Sequence, residues 1–253
     1  MVIDIHVHPR LDDEPLHTAE KLLRLGSEAG IERMLLLGDV LRFGYDPGPE
    51  QVVRINDLTI DLVQRWPQRF DGLCFLNPAH PAGFLHKEIE RCMAIQGFHG
   101  IKLEVAVNAR DPRLDAIMAE LEQRQAFLLH HAWYKTVGKA HQESTPADIA
   151  DLASRWPRVR IVMAHLTAAG HRGVQDIKPY PNVLVDTSGS QPFAGIVEYG
   201  VHQLGAERLL FGSDAPGRDF GVQMGRIMGA DITDADRQLI LQTNAKRLLG
   251  LPC

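Results

Sequence analysis

The sequence has no apolar run of about 18 residues or more, which excludes a helix that spans a membrane. It has no excess of positive charge. Its 27 Lys and Arg against 32 Asp and Glu give a net charge of −5, with signs mixed along the chain, so the electrostatic footprint of a nucleic-acid binder is missing. Cysteine is scarce: Cys74, Cys92 and Cys253 form an odd set without metal spacing, which argues against a disulfide framework and fits reduced core or tail thiols in a cytoplasmic protein. No basic and apolar signal region precedes the first motif. No linker or low-complexity stretch divides residues 1–253, so one domain is expected, and the 45% hydrophobic content is enough for one large core. No glycine-rich phosphate loop follows the first apolar run. What remains is an expectation of a small-molecule partner, with neither nucleic acid nor membrane; a homo-oligomer is compatible with it.

Short runs rich in Val, Ile, Leu and Phe alternate with amphipathic segments. The runs predict strands at 2–7, 31–37, 70–76, 98–104, 126–131, 159–164, 182–187 and 207–212. Helices are expected near 17–29, 50–66, 82–96, 112–125, 146–156, 168–178, 192–204 and 233–249. Thr145-Pro146 and Thr233 supply helix-start signals, and Arg65-Trp66-Pro67 is echoed by Arg155-Trp156-Pro157 at the ends of two helices. Strand–helix alternation over about 250 residues predicts an α/β chain, a (β/α)₈ barrel, with an open doubly wound sheet as the alternative.

In such a barrel, chemistry sits where the strands end. The first strand carries His6 and His8, two apart and therefore on one face of a regular strand. The fifth ends in His130-His131, the sixth in His165 and the eighth in Asp214. Imidazoles and a carboxylate brought to one axis suit zinc, with Mn²⁺ or Fe²⁺ as alternatives. Alternation lets only one of His130 and His131 face the axis.

In Ile3-Asp4-Ile5-His6-Val7-His8-Pro9, Gly100-Ile101-Lys102-Leu103, Phe127-Leu128-Leu129-His130, Ile161-Val162-Met163-Ala164-His165-Leu166, Leu210-Phe211-Gly212-Ser213-Asp214-Ala215-Pro216 and the closing Asn244–Leu251 segment, the chain resembles the amidohydrolase superfamily. The resemblance is strongest to its amidohydrolase 2 branch, which includes the aminocarboxymuconate-semialdehyde decarboxylase-like enzymes. It implies a TIM barrel in which His6, His8, His130 and Asp214 hold a divalent metal. It aligns His130, rather than His131, with the family histidine. His165 would be an acid/base or oxyanion-stabilising residue, or a ligand to a second ion.

Lys102 is open to two readings: a carboxylated bridge between two metals, or a plain lysine binding a substrate carboxylate. An ion pair with Glu104 is the alternative to both. Related sequences often have His-Pro after Lys-Leu where this chain has Glu104-Val105. One metal is favoured. The expected activity is a metal-dependent hydrolase in which Asp214 takes a proton from metal-activated water. The expected substrate is a small, carboxylate-bearing ester, lactone or amide contacted by Lys102, Arg10 and Lys135. The alternatives are a metal-dependent non-oxidative decarboxylase of an unsaturated or aromatic acid, and a non-catalytic metal-binding barrel.

Overall fold

Strands rich in branched residues and buried on both faces form the wall of the molecule. In the computed structural model, which describes residues 1–135 and 137–252, they are β1 (Val2–Val7), β2 (Ile31–Leu36), β3 (Phe70–Leu76), β4 (Phe98–Leu103), β5 (Phe127–His130), β6 (Arg160–Met163), β7 (Val183–Asp186) and β8 (Leu209–Leu210). They pair in parallel, each with its sequence neighbour. Closure comes from backbone bonds between the first and last strands and the segment beyond. Ile5 N–H donates to Phe211 O at 3.0 Å, Asp214 N–H to His6 O at 2.8 Å and His8 N–H to Ala215 O at 2.8 Å. The result is a (β/α)₈ barrel, and the open-sheet alternative falls away.

The helices are α1 (Pro15–Glu28), α2 (Pro49–Arg65), α3 (Ala82–Met93), α4 (Asp115–Arg124), α5 (Pro146–Arg155), α6 (Leu166–Ile177), α7 (Ile196–Leu204), α8 (Phe220–Met228), α9 (Asp234–Gln238) and α10 (Asn244–Leu249). Among the described residues none is long and apolar enough to cross a membrane. Proline in the first turn starts α1, α2 and α5, where its missing N–H costs no intrahelical bond. The two Arg-Trp-Pro segments adopt the same backbone: Trp66 (φ −131, ψ 63) and Trp156 (φ −125, ψ 62) each close a helix before a strand. Helix α8 was not expected. Asp219 caps it by accepting Val222 N–H, and Gly229 ends it, start and stop signals present in the sequence.

Two apolar layers result. Met34, Leu36, Leu103, Leu128, Met163 and Leu209 pack outward with the helices. Ile3, Ile5, Leu35, Leu37, Leu73, Phe127, Leu129, Val162, Ala164 and Leu210 fill the barrel together with Ala245, Leu248 and Leu249 of α10. Asn244 fastens α10 across the N-terminal end, its Nδ2 donating to Ala206 O and Leu209 O at 2.8 Å each. Cys74 and Cys92 are buried free thiols; Cys253 lies outside the described residues.

Candidate active site

The barrel interior fixes which side chains reach the catalytic end, and β1 departs from regularity there. Ile3 and Ile5 point into the barrel while Val7 packs with the outer layer, so strict alternation would send His6 outward. The pairing with β2 shifts register between Asp4 and Val7, an irregularity that re-aims a side chain as a β-bulge does. Asp4 Oδ1 accepts His6 N–H at 3.0 Å and Ser213 N–H at 2.9 Å, tying the shifted segment to the end of β8. Burial pushes the Asp4 carboxyl up to about 7.

His6 and His8 thereby line a cavity of about 450 Å³ with Arg10, Asp39, Glu104, His131, Trp133, Lys135, His165, Asp214 and Arg218 among its walls. The hydrogen bonds on the far side of each imidazole set which nitrogen faces the cavity. His8 Nδ1 lies 2.7 Å from Gly38 O, which can only accept, so Nδ1 carries the hydrogen and Nε2 the lone pair. His6 Nδ1 lies 2.8 Å from the Asp186 carboxylate. The two Nε2 atoms then face each other at 3.2 Å, and Asp214 Oδ1 stands 3.8 Å from one and 3.6 Å from the other. With His6 neutral, three electron-pair donors converge, as a cation requires; His6, His8 and Asp214 are compact enough to hold a metal ion. Burial, with the neighbouring His6 and Lys102 charges, takes His8 down to about 4 against the opposing pull of Asp214. Burial lowers His6 too, but the charge and hydrogen bond of Asp186 together with the Asp214 charge outweigh it and hold His6 above its ordinary value.

His130 is elsewhere. Leu129 points into the barrel and Leu128 outward, so the axis-facing residue is His131 and the expected facing is reversed. His130, fully buried, donates from Nδ1 to His131 O at 2.7 Å, and its Nε2 has no hydrogen-bond partner among the described residues. The strand did not reveal its phase because Phe127, Leu128 and Leu129 are all apolar, as both faces of a buried parallel strand demand.

His131 is held by Glu143, whose Oε1 accepts from its Nε2 at 2.8 Å, so Nδ1 is the atom turned to the cavity, 3.2 Å from Glu104 Oε1 and 3.2 Å from His165 Nε2. Lys102, fully buried in the barrel, pairs with Glu104 at 2.7 Å. Burial raises the Glu104 carboxyl, but Lys102 and His131 outweigh it and leave Glu104 well below the usual carboxylate range. Lys135 bonds Glu143 at 2.8 Å and sits 5.0 Å over the Trp133 ring, while Arg10 is 3.4 Å from Asp39. Trp133 stacks on His131 at 6.0 Å between centroids and leans on His165 at 5.3 Å, forming an aromatic wall.

Asp186 was missed by sequence reasoning. Its signal was available: β7 reads Val-Leu-Val-Asp and ends in a carboxylate, as β8 leads to one. Buried completely, it bonds His6 through Oδ2 and receives Ser188 Oγ–H, Ser188 N–H (3.0 Å) and His165 N–H (3.1 Å) at Oδ1. Burial raises its pKa; His6 and the hydrogen bonds overcome that and hold it far below the carboxylate norm. His165 and Asp214 are non-glycine residues in the left-handed region (φ 72 and 65), a costly conformation that concentrates at functional sites.

Comparison with known proteins bears on the chemistry. A family model described as Amidohydrolase matches residues 3–251. Gamma-resorcylate decarboxylase of Rhodococcus jostii (strain RHA1) is 26% identical, over 90% of this chain and 86% of that protein. The protein of the same name from Polaromonas sp. (strain JS666 / ATCC BAA-500) is 25% identical, over 96% of this chain and 90% of its own. A dihydroxybenzoic acid decarboxylase from Polaromonas sp. JS666, solved with bound manganese and the inhibitor 2-nitroresorcinol, superposes with a TM-score of 0.74 at 18% identity, covering 98% of this chain and 96% of the other. That last likeness is one of fold. The curated relatives are decarboxylases, and this corrects the expectation of a hydrolase cleaving an ester, lactone or amide.

Proposed function

The chain belongs to the amidohydrolase family, and from that premise we propose that it is a divalent-metal-dependent decarboxylase of a hydroxy-substituted aromatic acid. The reaction class is supported by the curated relatives, and the metal by the convergence of His6 Nε2, His8 Nε2 and Asp214 Oδ1. These three residues would hold the ion, with His131 rather than His130 as the next donor at the cavity wall. The mixed nitrogen and oxygen set suits Mn²⁺ as well as zinc, and the manganese of the structural neighbour favours Mn²⁺. When bound, the ion supplies a Lewis acid that draws charge from substrate oxygens.

The chemistry left to the chain is proton placement and positioning. The bond from ring carbon to carboxylate breaks, carbon dioxide leaves, and the electron pair stays on the ring carbon, which must take up a proton. Asp214 turns Oδ1 to the two histidines and leaves Oδ2 outside that cluster, so Oδ2 is assigned the relay of that proton, taken up from solvent and passed to the ring carbon. Trp133 offers a face on which an aromatic ring can stack, and Arg10 and Lys135 at the rim draw an anionic substrate inward. Lys102 and Lys135 are tightly paired with Glu104 (2.7 Å) and Glu143 (2.8 Å), while Arg10 is exposed and 3.4 Å from Asp39, which makes Arg10 the better carboxylate contact.

The test is carbon dioxide release from 2,6-dihydroxybenzoate and related hydroxybenzoates by Mn²⁺-loaded protein, with equimolar phenolic product and loss of turnover on chelation. No release from any member of the panel by protein shown to contain metal would overturn the reading.

A further inference from the structure

Six buried side chains join four strand ends in one hydrogen-bonded line: Glu143, His131, His165, Ser188, Asp186 and His6. Its direction can be read because the two carboxylates in it, Glu143 and Asp186, only accept. Asp186 Oδ2 accepts from His6 Nδ1, leaving the Nε2 lone pair of His6 toward His8 and Asp214. Asp186 Oδ1 takes the hydroxyl hydrogen of Ser188, so Ser188 Oγ has only lone pairs left for His165 Nδ1, 2.7 Å away. His165 therefore carries its hydrogen on Nδ1 and turns the Nε2 lone pair to the cavity.

We propose that Asp186, acting directly on His6 and through Ser188 on His165, is a positioning residue that sets the tautomer of these two of the four cavity histidines. His165 in this state is an acceptor, not the N–H donor that an oxyanion-stabilising role would need. Asp186 is not itself a metal ligand: Oδ2 is committed to His6, and Oδ1 already accepts His165 N–H, Ser188 N–H and Ser188 Oγ–H. The consequence for metal binding rests on the reading above that His6 is a ligand; the tautomers themselves do not.

Asp186→Asn separates the roles by chemistry rather than shape. The amide oxygen can keep the three donors of Ser188 and His165, and the amide NH₂ then faces His6 Nδ1. His6 must move its hydrogen to Nε2, into the gap shared with His8 and Asp214. Titration calorimetry with Mn²⁺ should show affinity lowered about 10–100-fold, the usual effect of losing such an outer partner, with the circular dichroism spectrum of the wild type. Ser188→Ala should leave Mn²⁺ affinity within about twofold, because the Asp186–His6 bond remains, while releasing His165 from its tautomer. Nitrogen-15 spectra of histidine-labelled, metal-free wild type in alkaline buffer read both tautomers without any mutation, and Nδ1–H is expected at His6 and His165. An Nε2–H form at either residue, or unchanged Mn²⁺ affinity in folded Asp186→Asn, overturns the proposal. If the wild type binds no Mn²⁺, the metal reading fails, and the tautomer spectra still decide this one.

Discussion

At the N-terminal end of the barrel, Asp71 receives hydrogen bonds from Arg33 and from His99 (2.9 Å), and Asn244 satisfies two carbonyls. Donors meet acceptors there. At the C-terminal end, His6 in its neutral form, His8 and Asp214 turn lone pairs toward one another, and the non-glycine residues His141, His165 and Asp214 sit at positive φ, against Gln125 just before β5 at the other end. One end is assembled for stability, while the other carries conformational cost and electrostatic conflict that a bound cation would relieve. The contrast teaches that the same strands can be conservative at one end because the other is not asked to be.

The sharpest way to break this comparison is at the lone-pair cluster. His6→Ala with His8→Ala is expected to abolish metal content and turnover while the barrel keeps its far-ultraviolet spectrum. Metal analysis after dialysis checks it, and full occupancy in the double variant would remove the cluster from the site. Next in size is the adjacent pair on β5. His131→Ala should cost on the order of 10²–10³ in kcat, the scale for a residue acting at the reacting centre. His130→Ala should leave kcat within a few-fold and lower Tm instead, since its side chain is buried away from the cavity. Kinetics and melting curves of the two variants, compared side by side, would expose a reversed β5 phase.

The opposite end should respond the other way. Leu248→Ala opens space between α10 and the barrel floor and should cost about 2–4 kcal/mol of stability, with kcat per folded molecule unchanged; denaturant melts and assays of one preparation measure both.

A smaller, pH-dependent effect belongs to Asp71. Burial raises its pKa, and the bonds from Arg33 and His99 more than reverse that, so the folded value lies below the unfolded one of about 3.9. Its contribution to stability is therefore full above about pH 4 and is lost as pH falls through the depressed folded value. Asp71→Asn should flatten the acid limb of the Tm profile without moving the activity profile. The smallest expected shift is from Asp214→Gly. Relief of the left-handed conformation should offset the added chain entropy, leaving stability in denaturant melts unchanged or raised by on the order of 1 kcal/mol as turnover disappears.

Much of the barrel was legible from sequence because each strand is a short branched-residue run between amphipathic helices, and His6, His8, His165 and Asp214 were legible because each lies at or just beyond a strand end. Asp186 carries the same signal, a carboxylate at the end of β7, but nothing local separates it from an ordinary turn residue before Thr-Ser-Gly.

By itself, the sequence determined the number and order of strands, the end at which polar residues gather, and the family, because periodicity and local motifs are written one residue at a time. Only the tertiary structure decided that His131 and not His130 enters the cavity, that a register shift at β1 turns His6 inward, and that Asp186 binds it from the far side of the chain. Those depend on the phase of strands buried on both faces and on closure of β1 against β8, which no local pattern encodes.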